Sequence, residues 1–329
     1  MSLPSVLFLG GTGVISSECA RYAAELGHEV TALNRGTSST HPTPAGVRAV
    51  TGDVRDAESV RNALGDNEFD VVVDFLSFVP EHVQQQLDRF EGRTGQYLFI
   101  SSASAYQTPP THLPVTESTP LANPLWQYSR DKIACEDLLV GAYRDRALPM
   151  TIVRPSHTYD HTLPPFSGGW TVPERIRQGK PVIVPGDGTS LWTITHHTDF
   201  ARAFVGLLGH PHAIGEAFHI TGHEAPTWDQ IARDIAAALG VGADIVHVTS
   251  DAICAADPSQ TGSLLGDKSN SMLFDNAKIR SIVPGWHARV PFRRGAQEIV
   301  DWHLADRARQ RVDAELDALQ DQLVASYRP

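Results

Sequence analysis

The apolar run Val6-Leu7-Phe8-Leu9 passes directly into Gly10-Gly11-Thr12-Gly13-Val14-Ile15-Ser16. A strand, a glycine-rich turn and the opening of a helix, in that order, are the context a dinucleotide fingerprint requires; glycines alone would mean little. Gly10 permits the tight turn. Gly13 lets the backbone come close to a pyrophosphate, which then sits at a helix N-terminus, where unpaired N–H groups and the dipole favour an anion. Thr12, Val14 and Ile15 belong to the same candidate surface. Ser16 occupies the third small position, a departure from glycine that bears on helix–strand packing. The competing reading is an ordinary βα turn.

The rest of the chain decides what that turn is part of. Strands are expected at Val6–Leu9, Glu29–Leu33, Arg48–Val50, Val71–Asp74, Gln96–Ser101 and Met150–Arg154. Helices are expected at Ser16–Leu26, near Glu58–Leu64, at Glu81–Phe90 and at Gln127–Tyr143. This alternation predicts an α/β fold, a Rossmann-type doubly wound parallel sheet. Continuous apolar strands such as Val71-Val72-Val73 suit burial on both faces. Beyond Pro155 the pattern loosens. Residues 156–190 are rich in Pro and Gly and read as loop. A helix at Asp199–Leu208 and a strand at Ala217–Ile220 follow, then a helix near Trp228–Leu239 and a strand at Ile245–Val248. Residues 251–271 read as polar and irregular, and the tail from about Gly295 to Tyr327 as helical and amphipathic. The expected organisation is a dinucleotide-binding domain over residues 1–155, to which 198–222 return, and a smaller C-terminal substrate-binding lobe from 156–197 and 223–329.

Composition narrows the class. At 329 residues the chain can bury a large core in one big domain or two coupled ones. No apolar run approaches the roughly 18–20 residues a membrane span needs, and Val6–Leu9 reads as a core strand and not as a signal peptide. A net charge of −11 disfavours non-specific nucleic-acid binding, which depends on Lys and Arg. Cys19, Cys135 and Cys254 are far apart and odd in number, which points to a reducing, cytoplasmic setting without a disulfide frame. His157 with His161, and His196-His197 with Asp199, have loosely ligand-like spacing, but no metal site is expected.

Three places should touch the cofactor. At the end of the second strand an acidic residue would accept from the adenosine ribose and select NAD. Asn34 cannot act as an anion and Arg35 can pair with a 2′-phosphate, so NADP is favoured over NAD; Arg35 could equally be a solvated loop charge. After the third strand, Asp53, followed by Val54, can accept from the adenine amino group or serve as a helix N-cap. Phe75-Leu76-Ser77 ends the fourth strand and should line the cleft, because ligands bind at the carboxyl ends of such strands.

Tyr128 and Lys132 stand at i and i+4, on one face of a helix. A phenol ionises near pH 10, too high for a base at neutral pH, and a cation close by lowers that value. The lysine can also bond the nicotinamide ribose. A serine from Ser101-Ser102-Ala103-Ser104 can hold the reacting oxygen. Ser102 is the choice, with Ser104 also facing the site and Ser101 beside the cofactor. A Tyr–x–x–x–Lys pair by itself is common and usually marks an exposed helix face. Its position after the fifth strand, with serines as partners, makes it a candidate for proton transfer coupled to hydride transfer.

With these residues in view, the sequence resembles an extended short-chain dehydrogenase/reductase of the NAD-dependent epimerase/dehydratase family. The likeness rests on Gly10–Ser16, Gly52-Asp53-Val54, Ser101–Tyr106, Tyr128–Lys132, Arg154-Pro155 and His196–Asp199 with Ala201, and covers residues 5 to about 240. It implies a Rossmann domain with a C-terminal lobe, Ser102, Tyr128 and Lys132 as catalytic residues, Pro155 and His157 near the nicotinamide, and a homodimer. Arg154–Tyr159, Arg177–Pro185 and Phe218–Gly222 look most like the chloroplast stem-loop-binding branch. The Tyr–Lys motif is degenerate in that branch and intact here. Dehydratases of the family commonly follow the catalytic Ser/Thr with an acidic pair. Ala103 and Ser104 stand there, so an epimerase or ketoreductase is favoured.

The resemblance also speaks to substrate. Sugar-nucleotide members carry Arg near the position of Trp192 to grip the pyrophosphate, and Trp cannot make that bidentate contact. Trp192 can stack on a sugar or base, or be a core aromatic. His157, where many members have Asn, is a candidate contact to substrate or nicotinamide. Arg175, Arg177, Lys180, Lys268 and Arg280 are the candidate phosphate contacts. The expected partner is a small sugar-like substrate, not a membrane or nucleic acid. The alternative is a non-catalytic cofactor-sensing or RNA-binding protein on the same fold.

Overall fold

A computed structural model describes residues 3–37 and 40–328. The first half alternates as expected: β1 (Ser5–Leu9), α1 (Ser16–Glu25), β2 (Glu29–Asn34), β3 (Arg48–Thr51), α2 (Ala57–Leu64), β4 (Val71–Asp74), α3 (Pro80–Phe90), β5 (Gln96–Ile100), α4 (Gln127–Arg146) and β6 (Met150–Pro155). Then come β7 (His157–Tyr159), α5 (Thr171–Arg177), β8 (Val182–Pro185), β9 (Ile194–His196), α6 (His197–Val205), β10 (Glu216–Ile220), α7 (Trp228–Ala238), β11 (Ile245–Val248) and α8 (Ser250–Ala256). Further helices span Ala277–Ile282, Phe292–Leu304 and Ala314–Tyr327.

Seven strands form one sheet in the order β10-β6-β5-β4-β1-β2-β3, every neighbouring pair parallel. Alternate side chains go to opposite faces. Val6 and Phe8 pack with Cys19 and Ala23 of α1 and Phe200 and Phe204 of α6. Leu7 and Leu9 pack with Val60 of α2, Leu87 of α3 and Leu139 of α4. Two covered faces explain why the strands are apolar throughout, each fully buried Val, Leu or Phe contributing roughly 1.5–3 kcal/mol. The chain leaves β1 toward β3 and re-enters beside β1 as β4, so the strand order reverses between β1 and β4. Ligands of open parallel sheets bind outside the carboxyl ends of the strands at that switch point. Here that places Gly10 beside Phe75. β10 pairs with β6 and closes the sheet edge.

Three stretches carry finer structure than the sequence pattern specified. Residues 156–190 hold β7, α5 and β8 among their turns. These pieces gain structure from long-range partners: β7 pairs with β9 and β8 with β11. Residues 251–271 contain α8 and a π-type turn, Leu264–Lys268. The tail is two helices, because Asp313 caps a new start at Glu315 and Leu316. The smaller lobe has its own core of Trp170, Trp192, Trp228, Ile231, Ile235, Phe292 and Ile299.

Candidate active site

A cavity of about 770 Å³ runs along the carboxyl ends of the sheet, from Gly10 and Gly13 past Tyr128 and Lys132 to Trp192 and Phe274. Its volume falls in the range typical of ligand sites.

At one end the glycine turn is built for close approach. Gly10 has φ +88°, and a side chain there would strike Leu76. A Cβ on Gly11 would lie 2.7 Å from the Ala32 Cβ, so the turn must lie flat against β2. Asn34 braces it: its Oδ1 accepts from the Gly11 N–H at 2.7 Å and from the Thr12 hydroxyl at 3.3 Å. Ser16 is the brace on the other side, its Oγ accepting from the Gly13 N–H at 2.8 Å. Among the described residues, the N–H groups of Thr12, Val14 and Ile15 donate to no protein acceptor, and Ile15 makes no side-chain cap on α1. These free donors at a helix N-terminus suit a pyrophosphate.

Around the same end lie Asp53, Val54, Phe75, Leu76, Arg35 and Arg55. Asp53 is not the N-cap of α2; Asp56 is, accepting from the Glu58 N–H. Asp53 Oδ1 instead accepts from the Arg55 N–H at 2.9 Å. Arg35 is exposed on the rim. Arg55, which sequence reasoning missed, gives one guanidinium nitrogen to the Leu76 carbonyl, while its Nη1 is buried without a partner. Asn34 Nδ2 is likewise buried and unpaired. Two orphaned donors beside a flat glycine turn fit a ligand rich in hydroxyl and phosphate acceptors, as a nicotinamide dinucleotide is.

In the middle of the cavity, α4 carries Tyr128 and Lys132. Lys132 is buried, its ammonium donating to the carbonyls of Ser77 at 2.7 Å and Ile100 at 2.8 Å. Burial lowers its pKa to about 8. Tyr128 is the surprise. Burial raises its pKa above the ordinary value, and the group that pulls it back down is the hydroxyl of Ser102. The sequence argument gave that part to Lys132, but its ammonium is committed to backbone. Ser102 Oγ lies 2.9 Å from Ser104 Oγ, which accepts from the Ser129 hydroxyl at 2.8 Å. Both predicted serines therefore lie in one chain of hydroxyls.

Ser101 lines the cavity as expected, although its hydroxyl is engaged elsewhere, and Ser77 is a correction. The Ser101 hydroxyl donates to Glu136, whose carboxylate holds Arg154 at 2.5 Å, and Arg154 in turn donates to the Tyr106 hydroxyl at 3.1 Å. This buried network takes the Ser101 hydroxyl away from cofactor or substrate. Ser77 is buried and does not line the cavity; its carbonyl holds Lys132.

The far end belongs to the smaller lobe. Pro155 and His157 line it. His157 is kept neutral, its pKa lowered by burial to about 3, and its Nε2 has no partner. Trp192 is only 2% exposed, with its ring 4.3 Å from His157 and 4.5 Å from Trp228. It acts as a core aromatic and leaves little surface for stacking. The available aromatic wall is Trp126, half-buried, with its ring 4.9 Å from that of Tyr128. Among the five cations proposed for phosphate, Lys268 alone lines the cavity. Arg175 pairs with Asp317 and Asp321, Arg177 with Glu174, Lys180 with Asp317, and Arg280 with Asp275. Trp126 and Asp267, also lining the cavity, carried no motif that sequence reading could use. Asp199 and His196 face elsewhere: Asp199 accepts from the Arg289 and Val290 N–H groups, and His196 bonds Glu298.

The all-parallel sheet, its switch point and the glycine turn define a Rossmann-type dinucleotide-binding protein. The chain belongs to the NAD-dependent epimerase/dehydratase family, whose profile matches residues 6–221. It is 29% identical over 255 residues to the chloroplast stem-loop binding protein of 41 kDa b of Arabidopsis thaliana, a match covering 74% of this chain and 65% of that protein. It is 27% identical over 320 residues to 2′-dehydrokanamycin reductase of Streptomyces kanamyceticus, covering 95% and 88%. The match thus spans slightly less than two thirds of the chloroplast protein and most of the reductase. Among solved structures, dTDP-glucose 4,6-dehydratase of Bacillus anthracis in complex with NAD has a similar fold, with a TM-score of 0.73, 21% identity and coverage of 92% and 97%. No described helix is long and apolar enough to cross a membrane.

Proposed function

We propose that this protein is an NADP-dependent ketoreductase acting on a carbonyl of a sugar-like substrate. The observation that carries the reading is the Tyr128 hydroxyl, kept protonated by burial and sharing with Ser102 and Ser104 the cavity that also holds the glycine turn. A phenol held above its ordinary pKa is a proton donor at neutral pH, the form that reduction of a ketone requires.

Gly10–Ile15 and Asp53–Arg55 would hold a nicotinamide dinucleotide, which when bound would be the source of the hydride for the carbonyl carbon. Ser102 holds the carbonyl oxygen, with Ser104 and Ser129 fixing the direction of its hydroxyl. Tyr128 gives its proton to that oxygen as the carbinol forms, and takes it back in the reverse direction. Lys132, its ammonium held by the Ser77 and Ile100 carbonyls, keeps a positive charge fixed 5.9 Å from the centre of the phenol ring. Asn34 in place of a carboxylate, together with Arg35 and Arg55, supports NADP over NAD. A relative aligned along nearly the whole chain and named as a reductase of 2′-dehydrokanamycin supports reduction. The likeness to a stem-loop binding protein raises the alternative of RNA binding; the chain's net charge of −11 weighs against it.

Tyr128→Phe tests this. The ring stays and the proton goes. NADPH affinity should be retained while reduction of a ketosugar panel falls by about 10² or more. Turnover within a few fold of wild type would end the proposal.

A further inference from the structure

The substrate end of the cavity contains a carboxylate that no role described so far uses. Asp267 sits in the π-type turn Leu264–Lys268, closed by the Ser269 N–H on the Leu264 carbonyl at 2.8 Å. π-type turns recur at functional sites because they aim side chains that a regular helix would not. The turn is pinned on both sides of Asp267. Asn123 Nδ2 donates to the Gly266 carbonyl at 2.7 Å, and Trp228 Nε1 to the Lys268 carbonyl at 2.9 Å. Gly266 is required where it stands, since a Cβ would lie 2.9 Å from Trp126 Cβ.

Pinned in this way, Asp267 lines the cavity with Tyr128 and Trp126. Its carboxylate accepts no hydrogen bond and makes no ion pair within 4.0 Å among the described residues. The neighbouring Lys268 does not satisfy it. That ammonium lies over the indoles of Trp126 and Trp192, at 5.8 Å and 5.5 Å from their centres. A desolvated carboxylate without donors is costly and calls for a cation or strong donor from outside the protein. Among the described residues, Lys268 is also the one cation lining this end, since Arg35 and Arg55 lie at the adenosine end and Lys132 is bonded to backbone. A single lysine beside a carboxylate is a poor receptor for a diphosphate, which needs concentrated positive charge.

We propose that Asp267 and Lys268 form a subsite for a vicinal amino alcohol, Asp267 accepting from a substrate ammonium and Lys268 donating to the adjacent hydroxyl, so that the substrate is an amino sugar or aminocyclitol glycoside and not a nucleoside diphosphate sugar. This rests on the ketoreductase reading above and adds the substrate class to it. Trp126 forms the aromatic wall along the ring.

Binding, not turnover, tests it, so its outcome is independent of the Tyr128→Phe result. The NADP-loaded full chain is titrated calorimetrically with kanamycin, trehalose and UDP-glucose. Kanamycin should bind at least tenfold more tightly than either of the others. Asp267→Asn should weaken kanamycin at least tenfold and leave trehalose within about twofold. NADP affinity and Tm measured on the same variant separate loss of the subsite from loss of the fold. Failure of kanamycin to bind wild type, tighter binding of UDP-glucose than of kanamycin, or unchanged kanamycin affinity in a folded Asp267→Asn would each overturn the subsite.

Discussion

The ammonium of Lys132 lies 5.9 Å from the centre of the Tyr128 ring and is bonded to the carbonyls of Ser77 and Ile100, while the group that lowers the phenol's pKa is the Ser102 hydroxyl. Ser102 is thus the nearest control on the phenol's proton. Removing its hydroxyl takes away the contact that lowers the Tyr128 pKa, so that pKa must rise further. In the oxidative direction, where the phenolate is the working form, the alkaline limb of the pH–rate profile of Ser102→Ala should move to higher pH. Turnover should fall by about 10²–10³, the usual loss for one donor to a developing oxyanion. Profiles of wild type and variant that superimpose would show that Ser102 does not act through the phenol.

The Arg154–Glu136 pair is buried, with its oxygens shared among Arg154 and the Ser101 hydroxyl. Breaking one partner of such a pair strands a charge, at a cost of about 3–5 kcal/mol. Glu136→Gln leaves the Arg154 guanidinium without a counter-charge beneath β5 and β6. Denaturant unfolding should show a loss in that range. A loss under about 1 kcal/mol would mean that the network is satisfied in another way.

Asp267 makes stability depend on pH in the unusual direction for a carboxylate. Burial raises its pKa from 3.8 to about 6. Between those values the folded chain holds a proton that the unfolded chain releases, so its contribution to stability falls as pH rises from about 4 to 6 and is lowest above that window. Lys268 is the charged neighbour opposing this shift, and Tyr128 of α4 shares the cavity with both. Asp267→Asn removes the cost. After a discount for partial exposure, the variant should be more stable than wild type by about 1–2 kcal/mol at pH 7.5, with the gain shrinking toward pH 4. A difference that is the same at both pH values would contradict the desolvated carboxylate.

Arg35 sits exposed on the rim beside Arg55, close enough for each to oppose the other's charge. A 2′-phosphate would relieve that repulsion. Arg35→Ala should weaken NADP by about tenfold, one charge-assisted contact being worth roughly 1.4 kcal/mol or more, and leave NAD nearly unchanged. Equal affinity of the variant and wild type for NADP would remove the basis for the preference.

Much of the frame was legible because its signals are local. The glycine turn, the period-two strands and the i, i+4 pair on α4 are written in consecutive residues, and local sterics and hydrogen bonding read them the same way in any context. Residues 156–190 were less legible because β7 and β8 exist through partners that lie 35 or more residues further along the chain. Trp126 and Asp267 gave no signal at all. A lone tryptophan before a helix and a lone aspartate in a polar stretch gain meaning only from what folds against them. Ser77 failed for the opposite reason. Its position at a strand end was right, but its side chain is buried away from the cavity and its backbone carbonyl is what meets Lys132.

By itself the amino-acid order determined that this chain builds a parallel sheet with an anion-ready turn at its centre, and that a tyrosine and a lysine share one helix face beside serines. Those outcomes follow from backbone geometry and periodicity, which act over a few residues. Which hydroxyls share the cavity with the phenol, where the lysine's ammonium goes, and which carboxylate lines that cavity were decided only when the chain packed together. Desolvation and pairing are properties of the assembled interior, and no stretch of sequence contains them.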